Sequence, residues 1–129
     1  MIDFTGWACV NCREMEEQIW TDDDVNEILV NEYIIVSLYV DDKRALPKEE
    51  QFRFLRPSGT VKNIKTIGDR WGILQTMNFQ NNSQPYYVLL SPNLDMLNRT
   101  SVREKNEDVY YDWLKQGLEK FKSLQKNGN

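Results

Sequence analysis

Cys9 and Cys12 are the only cysteines in a chain of 129 residues. They stand as Cys-x-x-Cys between a short apolar run and an amphipathic helical pattern. At a helix start this spacing lets the two thiols close a small disulfide ring. The first thiol then sits at the exposed, electropositive helix end, and the second lies one turn deeper. Helix N-terminal amides stabilise a thiolate, and thiolate fraction and access control the exchange rate. The predicted chemistry is dithiol–disulfide exchange. A structural zinc site wants four Cys or His ligands, and with no histidine in the chain only a metal shared across a dimer is left. A Cys-His nucleophile is excluded for the same reason. An inert structural disulfide stays open, since small secreted domains carry them. So short a loop, however, gains little unfolded-state entropy from closure.

The elements that must position these sulfurs can be read along the chain. The length suits one domain over residues 1–129, large enough for a core that does not need the disulfide. Ile2, Asp3 and Phe4 are all that precede the motif as a central strand, so the chain reads as cut from a longer protein. Cys9 to about Trp20 reads as a helix, with Cys12, Met15, Glu16 and Ile19 on one face. Thr21 is the expected N-cap of a second helix, with Asp22, Asp23 and Asp24 complementing its dipole and Val25, Ile28 and Leu29 as its apolar stripe. Residues 34–40 read as a largely buried strand, which makes a parallel strand–helix–strand unit with the first. Residues 41–65 read as an irregular surface insertion with a short helix over 48–55. A helix over 69–77 is expected to turn Trp71, Leu74 and Met77 inward, and a polar loop over 80–84 ends at Pro85. Residues 86–90 form a strand, Ser91-Pro92-Asn93 a turn, and residues 94–98 the partner strand of a hairpin. Asn106 caps a last helix over 107–126, buried along Val109, Tyr110, Trp113, Leu114, Leu118 and Phe121. Residues 126–129 should fray.

Composition narrows the function classes. The chain is 40% hydrophobic and 28% charged, with a net charge of -4. No apolar run approaches the ~20 residues of a membrane span, so no membrane insertion of this chain is expected, and no signal peptide precedes the motif. Residues 1–32 hold nine acidic side chains against Arg13 alone, whereas residues 43–70 hold eight Lys or Arg against Glu49, Glu50 and Asp69. This asymmetry is read either as two solvated faces of opposite sign or as a surface that orients a protein partner at the redox site. No nucleic-acid-binding motif accompanies the basic segment, and the overall balance is acidic.

The order strand, Cys-x-x-Cys helix, strand, helix, Pro-led strand, hairpin strand, helix resembles the thioredoxin-like α/β fold, a central mixed sheet flanked by helices. The segment Asp3-Phe4-Thr5-Gly6-Trp7-Ala8-Cys9-Val10-Asn11-Cys12-Arg13-Glu14-Met15-Glu16 is similar to the active-site segment of the C-terminal thioredoxin-like domain of DsbD, the thiol:disulfide interchange protein of the bacterial periplasm. Bacteroidetes-type members are the nearest in pattern. Gln84-Pro85-Tyr86-Tyr87-Val88-Leu89 and the Trp113-Leu114 helix extend the resemblance over most of the chain, and it is weak over residues 41–65.

The resemblance implies Cys9 as nucleophile and Cys12 as resolving thiol. It implies Asp3 as a buried carboxylate beneath the dithiol and Glu16 as a second acidic group nearby. A desolvated carboxylate has a raised pKa and can take the Cys12 proton. A solvated strand end for Asp3 and an ordinary exposed helix position for Glu16 are the alternatives. Pro85 matches a cis-proline that turns the Gln84 backbone toward an extended substrate; a trans proline starting a strand is its alternative. Trp7 either shields the dithiol or fills the core. Asn11 replaces the proline of thioredoxin's active site, which leaves the direction of catalysis open. The implied activity is protein-disulfide reduction, with electrons from a membrane partner and delivery to periplasmic proteins, the cytochrome c maturation route among them. No cofactor and no metal are required, because two sulfurs carry both electrons. An oxidase or isomerase of the same fold and a thioredoxin-like adaptor are the rivals. A second copy of the chain is a further candidate partner, covering a poorly supplied sheet position.

Overall fold

Phe4 is wholly buried in a four-residue strand, β1 (Ile2–Thr5), which is the middle strand of the larger sheet. The computed structural model describes residues 1–127 and is a mixed α/β arrangement with two small sheets. After β1 come α1 (Val10–Glu14), a π-helical turn (Met15–Ile19), α2 (Asp23–Glu32) and β2 (Val36–Tyr39). Then follow β3 (Phe52–Leu55), β4 (Val61–Ile64), α3 (Ile67–Phe79), β5 (Tyr86–Val88) and α4 (Glu107–Asn127). The main sheet runs β2-β1-β5, with β1 parallel to β2 and antiparallel to β5, in the register Phe4 to Leu38 and Phe4 to Tyr86.

Side-chain alternation along β1 divides the core, because successive residues of a strand point to opposite faces. Phe4 joins Leu38, Tyr86 and Val88 on the face covered by Trp71 and Phe79 of α3. On the other face Met15, Ile19, Val25, Ile28, Leu29, Tyr87, Leu89, Tyr110, Trp113 and Leu114 pack together, so the π-helical turn, α2 and α4 share it. Burying each large apolar side chain contributes roughly 1.5–3 kcal/mol. Two polar ties fix α4 in place: the Tyr33 hydroxyl donates to Leu114 O at 2.6 Å, and the Trp113 indole donates to Arg99 O at 2.8 Å. Asn106 caps α4 as expected, its side-chain oxygen accepting from the Asp108 and Val109 amides.

Several expectations are corrected. Asp22, not Thr21, caps α2, with its carboxylate accepting from Val25 N; the Thr21 hydroxyl donates back to Glu17 O instead. The strand expected over 34–40 is confined to Val36–Tyr39. It is not largely buried, because β2 is the sheet edge: Ile34 is 83% exposed and Val36 48%. Residues 41–65 contain no helix over 48–55. A single 3-10 turn at Lys48–Glu50 leads into the antiparallel pair β3–β4, which closes through Pro57, Ser58 and Gly59, the last at φ 89°. A glycine suits that left-handed position.

Helix α3 starts two residues early, at Ile67, because Thr66 and Asp69 form a reciprocal capping box. Leu74 and Met77 lie on its exposed side, and Gln75 is the wholly buried residue there. The hairpin partner expected over 94–98 is reduced to single bridges, Leu90 with Met96 and Tyr87 with Ser101, and β5 stops at Val88. Val109 is exposed, since it falls in the first turn of α4, outside the packed stripe. Helix α4 continues through Asn127; the remainder of the segment expected to fray lies outside the described residues.

Gly68 shows how closely α3 is seated. A methyl group there would meet Val40 O at 2.5 Å, Asp42 N at 2.7 Å and Asp42 O at 2.8 Å. Those are backbone atoms that cannot swing away, so Gly68→Ala is expected to cost about 2–3 kcal/mol, as overpacking does. A urea unfolding curve coincident with wild type would refute this seating.

Candidate functional site

The two sulfurs stand where β1 ends. Cys9 is the N-cap of α1 in extended conformation, and its sulfur accepts the Cys12 amide at 3.2 Å. The pair is joined as a disulfide with Cα atoms 5.2 Å apart. Cys9 is partly exposed, whereas Cys12 is only 2% exposed. The accessible and shielded positions expected from the spacing are therefore found. Trp7 is 65% exposed and Val10 68%, which gives Cys9 an apolar rim. Trp7 thus fills no core space: its ring stacks on Tyr39 with centroids 4.1 Å apart.

The loop before Cys9 is held from β2. The Trp7 and Ala8 amides donate to the two carboxylate oxygens of Asp41 at 2.9 and 3.1 Å. Partial desolvation works against the Asp41 charge, but these backbone donors outweigh it and hold the carboxyl below its ordinary range. Asp41 and Tyr39 went unrecognised in the sequence, because only the parallel register of β1 with β2 brings them to Cys9.

Beneath α1, on the face shared with Tyr87, lies a polar cluster. Asp3 is 4% exposed and accepts from the Ser37 hydroxyl at 2.9 Å, so it is no solvated strand end. Burial pushes its carboxyl up to about 6, with the Ser37 hydrogen bond opposing and the negative Glu16 adding to the rise. Glu16 is about one-third exposed and pairs with Arg13 at 2.8 Å, while Arg13 also donates to the Thr5 hydroxyl at 3.0 Å. Asp3 and Glu16 therefore sit within electrostatic reach of one another.

Pro85 is buried, the Gln84–Pro85 bond is cis, and Tyr86 pairs with Phe4. That register places Gln84 and Pro85 at the same end of the sheet as the dithiol. Gln84 is fixed from α3: its amide donates to Gln75 Oε1 at 2.9 Å, and the buried Gln75 donates to Ser83 O at 2.8 Å. Arg103 was also missed. It donates to Asn11 Oδ1, within the Cys-x-x-Cys, and pairs with Glu14, laying a segment more than 85 residues distant across α1. The signal for Gln75 and Arg103 is tertiary, with no local pattern to announce it.

Among the described residues no group of three or more His, Cys, Asp or Glu is disposed to hold a metal ion, and no helix is long and apolar enough to cross a membrane. No protein-family model matches the chain, and no curated protein matches it.

The raised Asp3 carboxyl sets a pH dependence. Between its ordinary value near 3.8 and about 6, the folded chain keeps a proton that the unfolded chain has lost, so stability falls as pH rises through this window. Below the window no penalty remains. Asp3→Asn keeps the acceptor for Ser37 and removes the buried charge. It is expected to stabilise the fold by about 2–3 kcal/mol at pH well above the window, from about 1.4 kcal/mol per pKa unit, and by nothing below it. Urea midpoints on both sides of the window check this, and equal gains at both would contradict it.

Proposed function

We propose that the chain is a thiol:disulfide oxidoreductase domain of thioredoxin-like type, working mainly as a reductant of protein disulfides. The observation that carries this reading is the contrast at the helix tip. A partly exposed Cys9, flanked along the chain by the exposed Trp7 and Val10, receives at its sulfur the amide of a Cys12 that is only 2% exposed. An inert structural disulfide has no need of an accessible sulfur in an apolar landing surface.

In the reduced protein the Cys9 thiolate attacks one sulfur of a substrate disulfide. A mixed disulfide forms, and the other substrate sulfur leaves as a thiolate. Cys12 then loses its proton and attacks the Cys9 sulfur, so the second substrate thiolate departs. Two electrons pass to the substrate, and the chain is left with the Cys9–Cys12 bond. Asp3, desolvated and raised to about 6, is the assigned acceptor of the Cys12 proton, with Glu16 and Arg13 tuning it from one side. Gln84, ahead of Pro85, offers backbone to an extended substrate chain, and Trp7 supplies the apolar contact.

The resemblance to the DsbD C-terminal domain makes periplasmic proteins the substrates and a membrane-embedded dithiol domain the electron donor. It also favours one domain over the whole chain. The dithiol potential against glutathione separates reductant from oxidase. A thioredoxin-like value supports the first, and a strongly oxidising one replaces it with the second.

Cys9→Ser is expected to abolish insulin reduction, and Cys12→Ser to accumulate a mixed disulfide visible on a non-reducing gel. Retained turnover in Cys9→Ser would falsify the mechanism.

A further inference from the structure

The β3–β4 hairpin is the part of the chain that dithiol chemistry leaves unused. Residues 51–68 carry Arg53, Arg56, Lys62 and Lys65 with no Asp or Glu. Pairing of Phe54 with Lys62 and of Leu55 with Val61 gives the hairpin two distinct faces. On the outer one, Leu55 and Val61 are 66% and 49% exposed. Between the inner face and α3 runs a cleft of about 540 Å³, walled by Phe54, Arg56, Lys62, Asp69, Val40 and Gln84 among others.

Two of those wall residues belong to the dithiol end of the sheet. The Val40 amide donates to Thr5 O, and Gln84 leads through Pro85 to Tyr86, which pairs with Phe4. The carboxylate on the wall is already engaged: Asp69 accepts from the Lys65 and Thr66 amides and faces Lys62 at 3.7 Å. Arg53 and Arg56 have no carboxylate partner among the described residues.

Resting on the exchange reading above, we infer that this hairpin is a docking arm for an acidic, extended segment flanking the cystine of a substrate protein. A chain lying along the Gln84 backbone continues directly into the cleft. There it meets the Arg56 guanidinium and the Phe54 ring, with Arg53 on the outer face of the same hairpin adding to its positive field. Charge complementarity names the occupant, because a wall of one sign steers the opposite sign and repels its own. The chain's own acidic helix α2 packs on the opposite face of the sheet and does not compete for the arm.

Binding and turnover are measured separately. A short fluorescent peptide rich in Asp and Glu, with Ser in place of Cys, and its Lys-rich counterpart are titrated into the full chain by anisotropy. The acidic peptide is expected to bind about tenfold more tightly at low salt, with the gap closing as salt screens the arm. Arg53→Glu with Arg56→Glu should erase the preference, and Arg53→Gln with Arg56→Gln should reduce it. Both variants should reduce hydroxyethyl disulfide, a small neutral substrate, at the wild-type rate.

Equal affinity for the two peptides, or a preference untouched by both variants, overturns the docking arm. So does tighter binding of a mixed-sequence oligonucleotide than of the acidic peptide, or self-association of the chain that the acidic peptide cannot displace. Loss of hydroxyethyl disulfide reduction in the wild-type chain instead overturns the exchange reading, while the peptide titration still decides the surface.

Discussion

Four residues of β1 are hydrogen-bonded to β2 on one edge and β5 on the other, and the end of that strand decides where the sulfurs stand. Beyond Thr5 the chain has no regular partner, yet it must deliver Cys9 to a helix tip within a few residues. Asp41 supplies the missing partner by accepting from the Trp7 and Ala8 amides, and the Val40 amide donates to Thr5 O. Trp7 lies flat on Tyr39 above the same junction. The position of Cys9 is therefore a property of two adjacent strand ends and not of the Cys-x-x-Cys loop alone. A carboxylate receiving backbone N–H groups makes a stronger hydrogen bond than a neutral acceptor does, which suits a loop whose tip has to stay exposed.

The dithiol was legible because its signals are local. The helix start at Cys9, the buried face of Cys12, Met15 and Ile19, and the Asn106 cap of α4 all follow from residue types and three- and four-residue spacing. What escaped was set by neighbours distant in sequence. Ile34 and Val36 belong to an apolar run that reads as a buried strand, and only the sheet order reveals an edge. Gln75 is polar yet wholly buried, because loop 81–84 supplies its partners. The β3–β4 pair did have a local signal: aromatic and β-branched residues on both sides of Pro57-Ser58-Gly59. The clustered basic residues obscured it, since exposed strands carry the same charges as loops.

Burial of Asp3 is unfavourable for the fold, and nothing in packing requires it. Leu or Val in β1 would lie against Tyr87 without a desolvated carboxylate. A buried ionisable group within electrostatic reach of the Arg13–Glu16 pair is the kind of perturbed carboxyl that functional sites collect. Arg103 adds a second cation at the other side of α1, bound to Asn11 between the two cysteines. The charges around the dithiol thus come from three separate segments of the chain, and the helix is the place where they meet.

Charge is also divided between the two faces of the sheet. Acidic residues crowd the π-helical turn and α2 on one face of the sheet, whereas the basic hairpin lies across a cleft from α3 on the other. Close to Cys9 in the chain, Trp7 and Val10 are exposed and apolar. Exposed charges are screened by salt, so any attraction the proposed arm exerts weakens as ionic strength rises. In the docking proposed above, the cleft meets the dithiol end of the sheet at Val40 and Gln84, so recognition and sulfur exchange would rest on different side chains.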